Sequence, residues 1–122
     1  MKRRTVRFAV SQAAGTTTTY TRALDWTGEI QLLKIEFPPG SEGTLRLTPT
    51  LRKPNGTILP LLVTDDAGAT NEFLSGDDRY KELAIDAEVK PGYVLALVAD
   101  NQDAVNAHWF DFVAECSVRE VA

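Results

Sequence analysis

Chemistry at a protein site needs a nucleophile, a titratable base or a metal ligand, and this chain offers few of them. It has one histidine, His108, and one cysteine, Cys116. Their even spacing puts both on one face of an extended strand, but eight residues hold them about 26 Å apart. A Cys–His nucleophile pair cannot form along that strand, and one of each falls short of a zinc ligand set. No Gly-x-Ser-x-Gly elbow and no glycine-rich phosphate loop is present. Carboxylates cluster at Asp65-Asp66 and Asp77-Asp78. Turns that brought those pairs together would make an oxygen-ligand calcium site. The simpler reading is that aspartate favours turns and stays hydrated there. A glycosidase pair from the same residues lacks an apolar pocket legible in the sequence. The chain is expected to be no enzyme and to need neither cofactor nor metal.

Recognition is the other chemistry available. Trp26 lies beside the turn signal Asp25-Trp26-Thr27-Gly28, and Trp109 sits in an alternating run. An exposed indole suits stacking on a sugar or packing against a protein partner. The alternative for Trp109 is ordinary core between two sheets. Lys2, Arg3, Arg4, Arg7 and Arg22 make the first 22 residues basic with no acid, whereas the remaining 100 carry 8 basic and 17 acidic side chains. A basic start on an acidic body can dock onto an acidic neighbour or another copy. Equally, Lys2, Arg3 and Arg4 can simply solubilise a frayed end. The acidic remainder would repel phosphate, so nucleic acid is not an expected partner.

The stretch that positions His108 and Trp109 is Gly92 to Val121. Its first half, Tyr93 to Ala99, is nearly continuous apolar sequence, as in a strand buried on both faces. Its second half alternates. His108, Phe110, Phe112, Ala114, Cys116 and Val118 share one face; Trp109, Asp111, Val113, Glu115, Ser117 and Arg119 share the other. The two halves read as one long antiparallel hairpin. Cys116, on the Phe112 face, reads as a buried thiol acting as a small hydrophobe.

Upstream, turn signals recur about every ten residues between segments of period two, the mark of an all-β sandwich or barrel. Val6, Phe8 and Val10 define a first strand. Thr16 to Thr21 is an edge strand or an extended arm. Glu29 to Phe37 changes phase at Leu32-Leu33, which predicts a bulge or a strand covered on both sides. Leu45 to Arg52 alternates around Pro49, demoting that part to an edge or bulge. Lys53-Pro54-Asn55-Gly56 predicts a hairpin turn, and Lys90-Pro91-Gly92-Tyr93 a type II turn. Residues 69–75 read as a short strand, and Leu83 to Val89 alternates again. The fold expected is an antiparallel β-sandwich of about eight strands, a jelly roll or another Greek key. Residues 1–22 form an arm or edge strand and 23–122 one domain.

At 122 residues such a domain buries enough surface to fold without staples. One cysteine excludes an internal disulfide. No apolar run approaches the roughly 18 residues of a membrane span. Phe8-Ala9-Val10 is too short for the apolar core of a signal peptide, so the basic start reads as mature protein.

Residues 71–111 resemble small all-β structural proteins of tailed bacteriophages, of the capsid decoration or cement type. The resemblance is carried by Asn71-Glu72-Phe73-Leu74-Ser75-Gly76-Asp77-Asp78-Arg79-Tyr80, by Val89-Lys90-Pro91-Gly92-Tyr93-Val94-Leu95, and by Asp100-Asn101-Gln102-Asp103 before a final strand. It covers about a third of the chain and brings no catalytic residue. It implies a β-sandwich that oligomerises, often as a trimer, on a virion assembled in the host cytoplasm. Its partner would be the major capsid protein or another virion protein. Carbohydrate-binding modules share the same strand–turn–strand features. Under that alternative, Trp26, Trp109 or Tyr93 would be the stacking platforms.

Overall fold

The computed structural model describes residues 2–37, 39–40, 43–61, 74–75 and 79–121. Within them the chain forms eight strands: β1 (Lys2–Gln12), β2 (Thr17–Ala23), β3 (Trp26–Phe37), β4 (Leu45–Arg52), β5 (Ile58–Pro60), β6 (Arg79–Val89), β7 (Val94–Asn101) and β8 (His108–Val121). They build two antiparallel sheets, ordered β1-β8-β3-β6 and β2-β7-β4-β5. All connections cross between the sheets except β4–β5. Two interlocked four-stranded sheets with this order are a jelly roll. Residues 2–22 thus contribute an edge strand to each sheet.

The core lies between the sheets. Val6, Phe8, Ile30, Leu33, Ile35, Phe110 and Phe112 come from one sheet, and Leu45, Leu47, Leu51, Leu95 and Leu97 from the other. Period-two alternation places these residues inward and their neighbours outward. Phe110, Phe112, Ala114, Cys116 and Val118 are buried as the alternation predicts.

Local sequence signals account for the turns and irregularities. Gly92 takes a φ of 93°, which glycine adopts without a Cβ penalty. The Tyr93 N–H donates to the Lys90 carbonyl at 3.1 Å, closing the predicted turn. The Gly56 N–H donates to the Lys53 carbonyl at 3.0 Å in the β4–β5 hairpin. Both β6 and β8 shift register against β3 between Ile30 and Leu32, which is the predicted bulge. Pro49 pairs with Leu97 on the β7 side, and its carbonyl accepts from Leu61 just beyond the end of β5. A missing N–H is tolerated there because the partner strand has ended.

One expectation is corrected. Gly92 to Val121 is not a hairpin: β7 is central in one sheet and β8 in the other. Residues 102–107 carry the chain across the gap of about 10 Å between the sheets. The loop is tied down on both sides, with the Gln102 N–H donating to the Thr44 carbonyl and the Gly15 N–H to the Asp103 carbonyl. The Asp65-Asp66 and Asp77-Asp78 pairs, and most of the strand expected at 69–75, lie outside the described residues.

Candidate interaction surface

The outer face of the β1-β8-β3-β6 sheet gathers the outward half of every alternating run. Its rows are read from strand pairing. One runs Arg3, Ser117, Glu29, Glu88; a second runs Arg7, Val113, Lys34, Glu82; a third runs Ala9, Asp111, Glu36, Tyr80. Trp109 stands beyond the third row, opposite Ser11.

Two ion pairs on this face run across strands. Arg7 donates to Asp111 through two nitrogens, at 2.9 and 2.7 Å. This bidentate pair holds the Arg7 guanidinium even more firmly protonated than usual. Lys34 Nζ lies 3.2 Å from Glu115. The Tyr80 hydroxyl donates to Glu82 at 2.6 Å, and that bond pushes the phenol up to about 12. Glu29 and Asp86 share a hydrogen bond, and its neighbour Asp86 raises the Glu29 carboxyl above its usual range.

Trp109 is 41% exposed, so the outward reading holds for this indole. Trp26 is corrected. It opens β3 rather than sitting in a turn, and it is buried at 3% exposure. Arg4 covers it, with the guanidinium 5.2 Å from the ring centroid and 3.3 Å from Asp25. Trp26 therefore offers no stacking platform. Tyr93 is half-buried against the core. Lys2, Arg3, Arg4 and Arg7 all lie on β1. Arg22 on β2 adds to that flank, 5.9 Å above the Phe8 ring, and with Arg4 and Trp26 lines a cavity of about 280 Å³.

Tyr80, 57% exposed, is an outward aromatic that was not singled out from the sequence. Its signal was present: it shares the alternation phase of Glu82 and Asp86, opposite to Leu83 and Ile85. Tyr80 ends the row of Asp111 and Glu36, and Trp109 stands beyond Asp111 on the same face.

The two residues weighed for catalysis are engaged in structure. His108 Nε2 lies 2.8 Å from Asp103, whose carboxylate also accepts from the Val105 and Asn106 N–H groups. These bonds, the Val105 N–H foremost, hold the Asp103 carboxyl well below the usual carboxylate range. Cys116 is a buried free thiol, pushed up to about 11 by desolvation. Among the described residues, no group of three or more His, Cys, Asp or Glu side chains could hold a metal ion. No helix among them is long and apolar enough to cross a membrane.

No protein-family model and no curated protein matches the chain. Solved structures similar to it include the Drosophila NLP core, described for pentamer formation and histone binding. That likeness has 10% identity and a TM-score of 0.44, over 92% of this chain and 98% of that one. A structure of infectious bursal disease virus, Gx strain, is similar at 11% identity and a TM-score of 0.46, over 95% of this chain and 32% of that one. A family two carbohydrate esterase from Cellvibrio japonicus is similar at 10% identity and a TM-score of 0.42, over 99% of this chain and 36% of that one. The chain spans about a third of the length of the last two. Likenesses at this level carry no argument about activity or partners.

Proposed function

We propose that this chain is a non-enzymatic structural protein of a virion, a capsid decoration protein that bridges and stabilises neighbouring shell subunits. Its partners are the major capsid protein or another virion protein, and further copies of itself, with a trimer favoured. The observation that carries the reading is Trp109, a large ring left uncovered on a rigid strand of the face where two ion pairs run across strands. Aromatic anchors of this kind dominate protein interfaces. The engagement of His108 and Cys116 in structure supports a role without catalysis. The resemblance of residues 71–111 supports the choice of a phage shell. Bridging would stabilise the shell by mass action, since the protein binds assembled subunits and not separated ones. The test is to pellet undecorated capsids with purified protein. Co-sedimentation that Trp109→Ala weakens about tenfold or more is expected; no co-sedimentation overturns the reading.

A second reading is favoured by one observation. Trp109 and Tyr80 are both exposed on the same face as Asp111 and Glu36, as a carbohydrate-binding sheet would require. Silence on a glycan array, with tryptophan fluorescence unchanged by polysaccharides, would remove it.

A further inference from the structure

The two edges of the β1-β8-β3-β6 sheet carry opposite charge at the ends of two rows, one on each side of the bulge at Ile30–Leu32. The row through Ser117 begins with Arg3 on β1 and ends with Glu88 on β6. The row through Val113 begins with Arg7 on β1 and ends with Glu82 on β6. Within one molecule the ends of a row are three strands, or about 14 Å, apart, too far for direct pairing. Among the described strands, β1 pairs only with β8 and β6 only with β3. Among the described residues, neither outer edge of this sheet has a further strand paired to it.

We infer that copies of this chain associate head to tail, with the β1 edge of one set beside the β6 edge of the next, so that Arg3 faces Glu88 and Arg7 faces Glu82 across the joint. Strand direction permits it. Each neighbouring pair from β1 to β6 is antiparallel, so β1 and β6 run in opposite senses, and a β6 followed by the next copy's β1 continues the alternation. Like-with-like joining is disfavoured, because β1 on β1 sets arginine near arginine and β6 on β6 sets carboxylate near carboxylate. The groups facing these charges leave them available. Arg3 and Glu88 are exposed; Glu88 lies beside Glu29 in its row and has the exposed Lys90 Nζ at 3.4 Å. Arg7 keeps 59% of its side chain exposed while bound to Asp111, and Glu82 is exposed while accepting from Tyr80.

Eleven residues of β1 make an edge about 36 Å long. A head-to-tail contact closes into a ring when its rotation allows. The inference rests on the self-association named in the shell reading and assigns its joint: capsid pelleting tests the shell role, and the mass of the free protein tests the joint.

The experiment measures mass by light scattering after gel filtration for the wild type, Arg3→Glu, Glu88→Arg and the double variant. Both positions changed are exposed, and circular dichroism melting checks that each variant folds. Expected are a wild-type oligomer that dissociates as salt rises from about 0.05 to 1 M, single reversals that raise the dissociation constant about tenfold or more, and a charge-swapped double variant restored to within about threefold of wild type. A monomeric wild type at about 0.1 mM in low salt overturns the inference, as do single reversals without effect or a double variant that is not rescued. The salt series uses the wild type alone and stays decisive even if a variant fails to fold.

Discussion

The Asp103 carboxylate stands 2.8 Å from Nε2 of His108 and fastens the loop that hands the chain from β7 to β8. The Val105 and Asn106 N–H groups donate to it at 2.9 and 3.1 Å. The folded-state carboxyl is held below its ordinary value, so its contribution to stability is complete above about pH 4 and is lost as pH falls toward the folded value. Asp103→Asn should lower the melting temperature at pH 7, and the gap to wild type should narrow steadily below pH 4. Melting curves across pH check this; a gap of constant size refutes it.

Gly28 lies against the Ser117 carbonyl where β3 shifts register on β8, and a Cβ at residue 28 would overlap that backbone oxygen. The backbone there belongs to the two central strands and cannot easily give way. Gly28→Ala should therefore cost about 1–3 kcal/mol, as overpacking does. For a domain of this size that is a fall of several degrees in melting temperature. A variant that melts with the wild type would show that the sheet accommodates the methyl group.

Phe112 and Trp109 sit on one strand and should respond in opposite ways. Phe112 is fully buried, its ring centroid 6.2 Å from that of Phe8. Phe112→Ala should cost about 3–5 kcal/mol in denaturant unfolding. Trp109→Ala should change stability by about 0.5 kcal/mol or less, as a surface change does, while weakening partner binding. Comparable losses of stability at both positions would contradict the outward placement of Trp109.

The Cys116 thiol rises from an ordinary 9.0 to about 11 because burial disfavours the thiolate. At pH 8 the native protein should react with a disulfide reagent about 100-fold more slowly than the unfolded chain, in proportion to thiolate fraction. The raised value also sets a sign. Its contribution to stability is complete below the ordinary thiol value and is lost as pH rises through about 11. Fast native labelling at pH 8 would show that the site opens.

The strands were legible because alternation is a direct readout of two faces. Phe110, Phe112, Ala114 and Cys116 point inward in the phase their spacing gives, and the bulge at Ile30–Leu32 shows as a phase change. What alternation does not encode is which sheet a strand joins. A run such as Tyr93 to Ala99 is equally apolar as half of a hairpin or as the centre of the opposite sheet. That is why β7 and β8 read as neighbours. Trp26 was misplaced for a related reason. Asp25 marks a turn, but the burial of the next residue depends on Arg4, 22 positions earlier, folding over its ring. The surface was partly legible. The basic residues of β1 and the outward phase of Trp109 are sequence features, whereas the matching of Arg3 to Glu88 and Arg7 to Glu82 exists only once four strands are in register.

The pairing of β1 with β8 has a consequence in time. Arg7 and Asp111 meet across 104 positions of sequence. During synthesis at about 5–20 residues per second, β1 waits several seconds or longer before its partner strand is made. Pairings this distant pay loop-closure entropy before contacts form, so folding is expected on the slow, millisecond-to-second side of small domains. Through that interval β1 lacks its partner strand, and its dense positive charge disfavours the pairing of one nascent β1 with another before β8 is made.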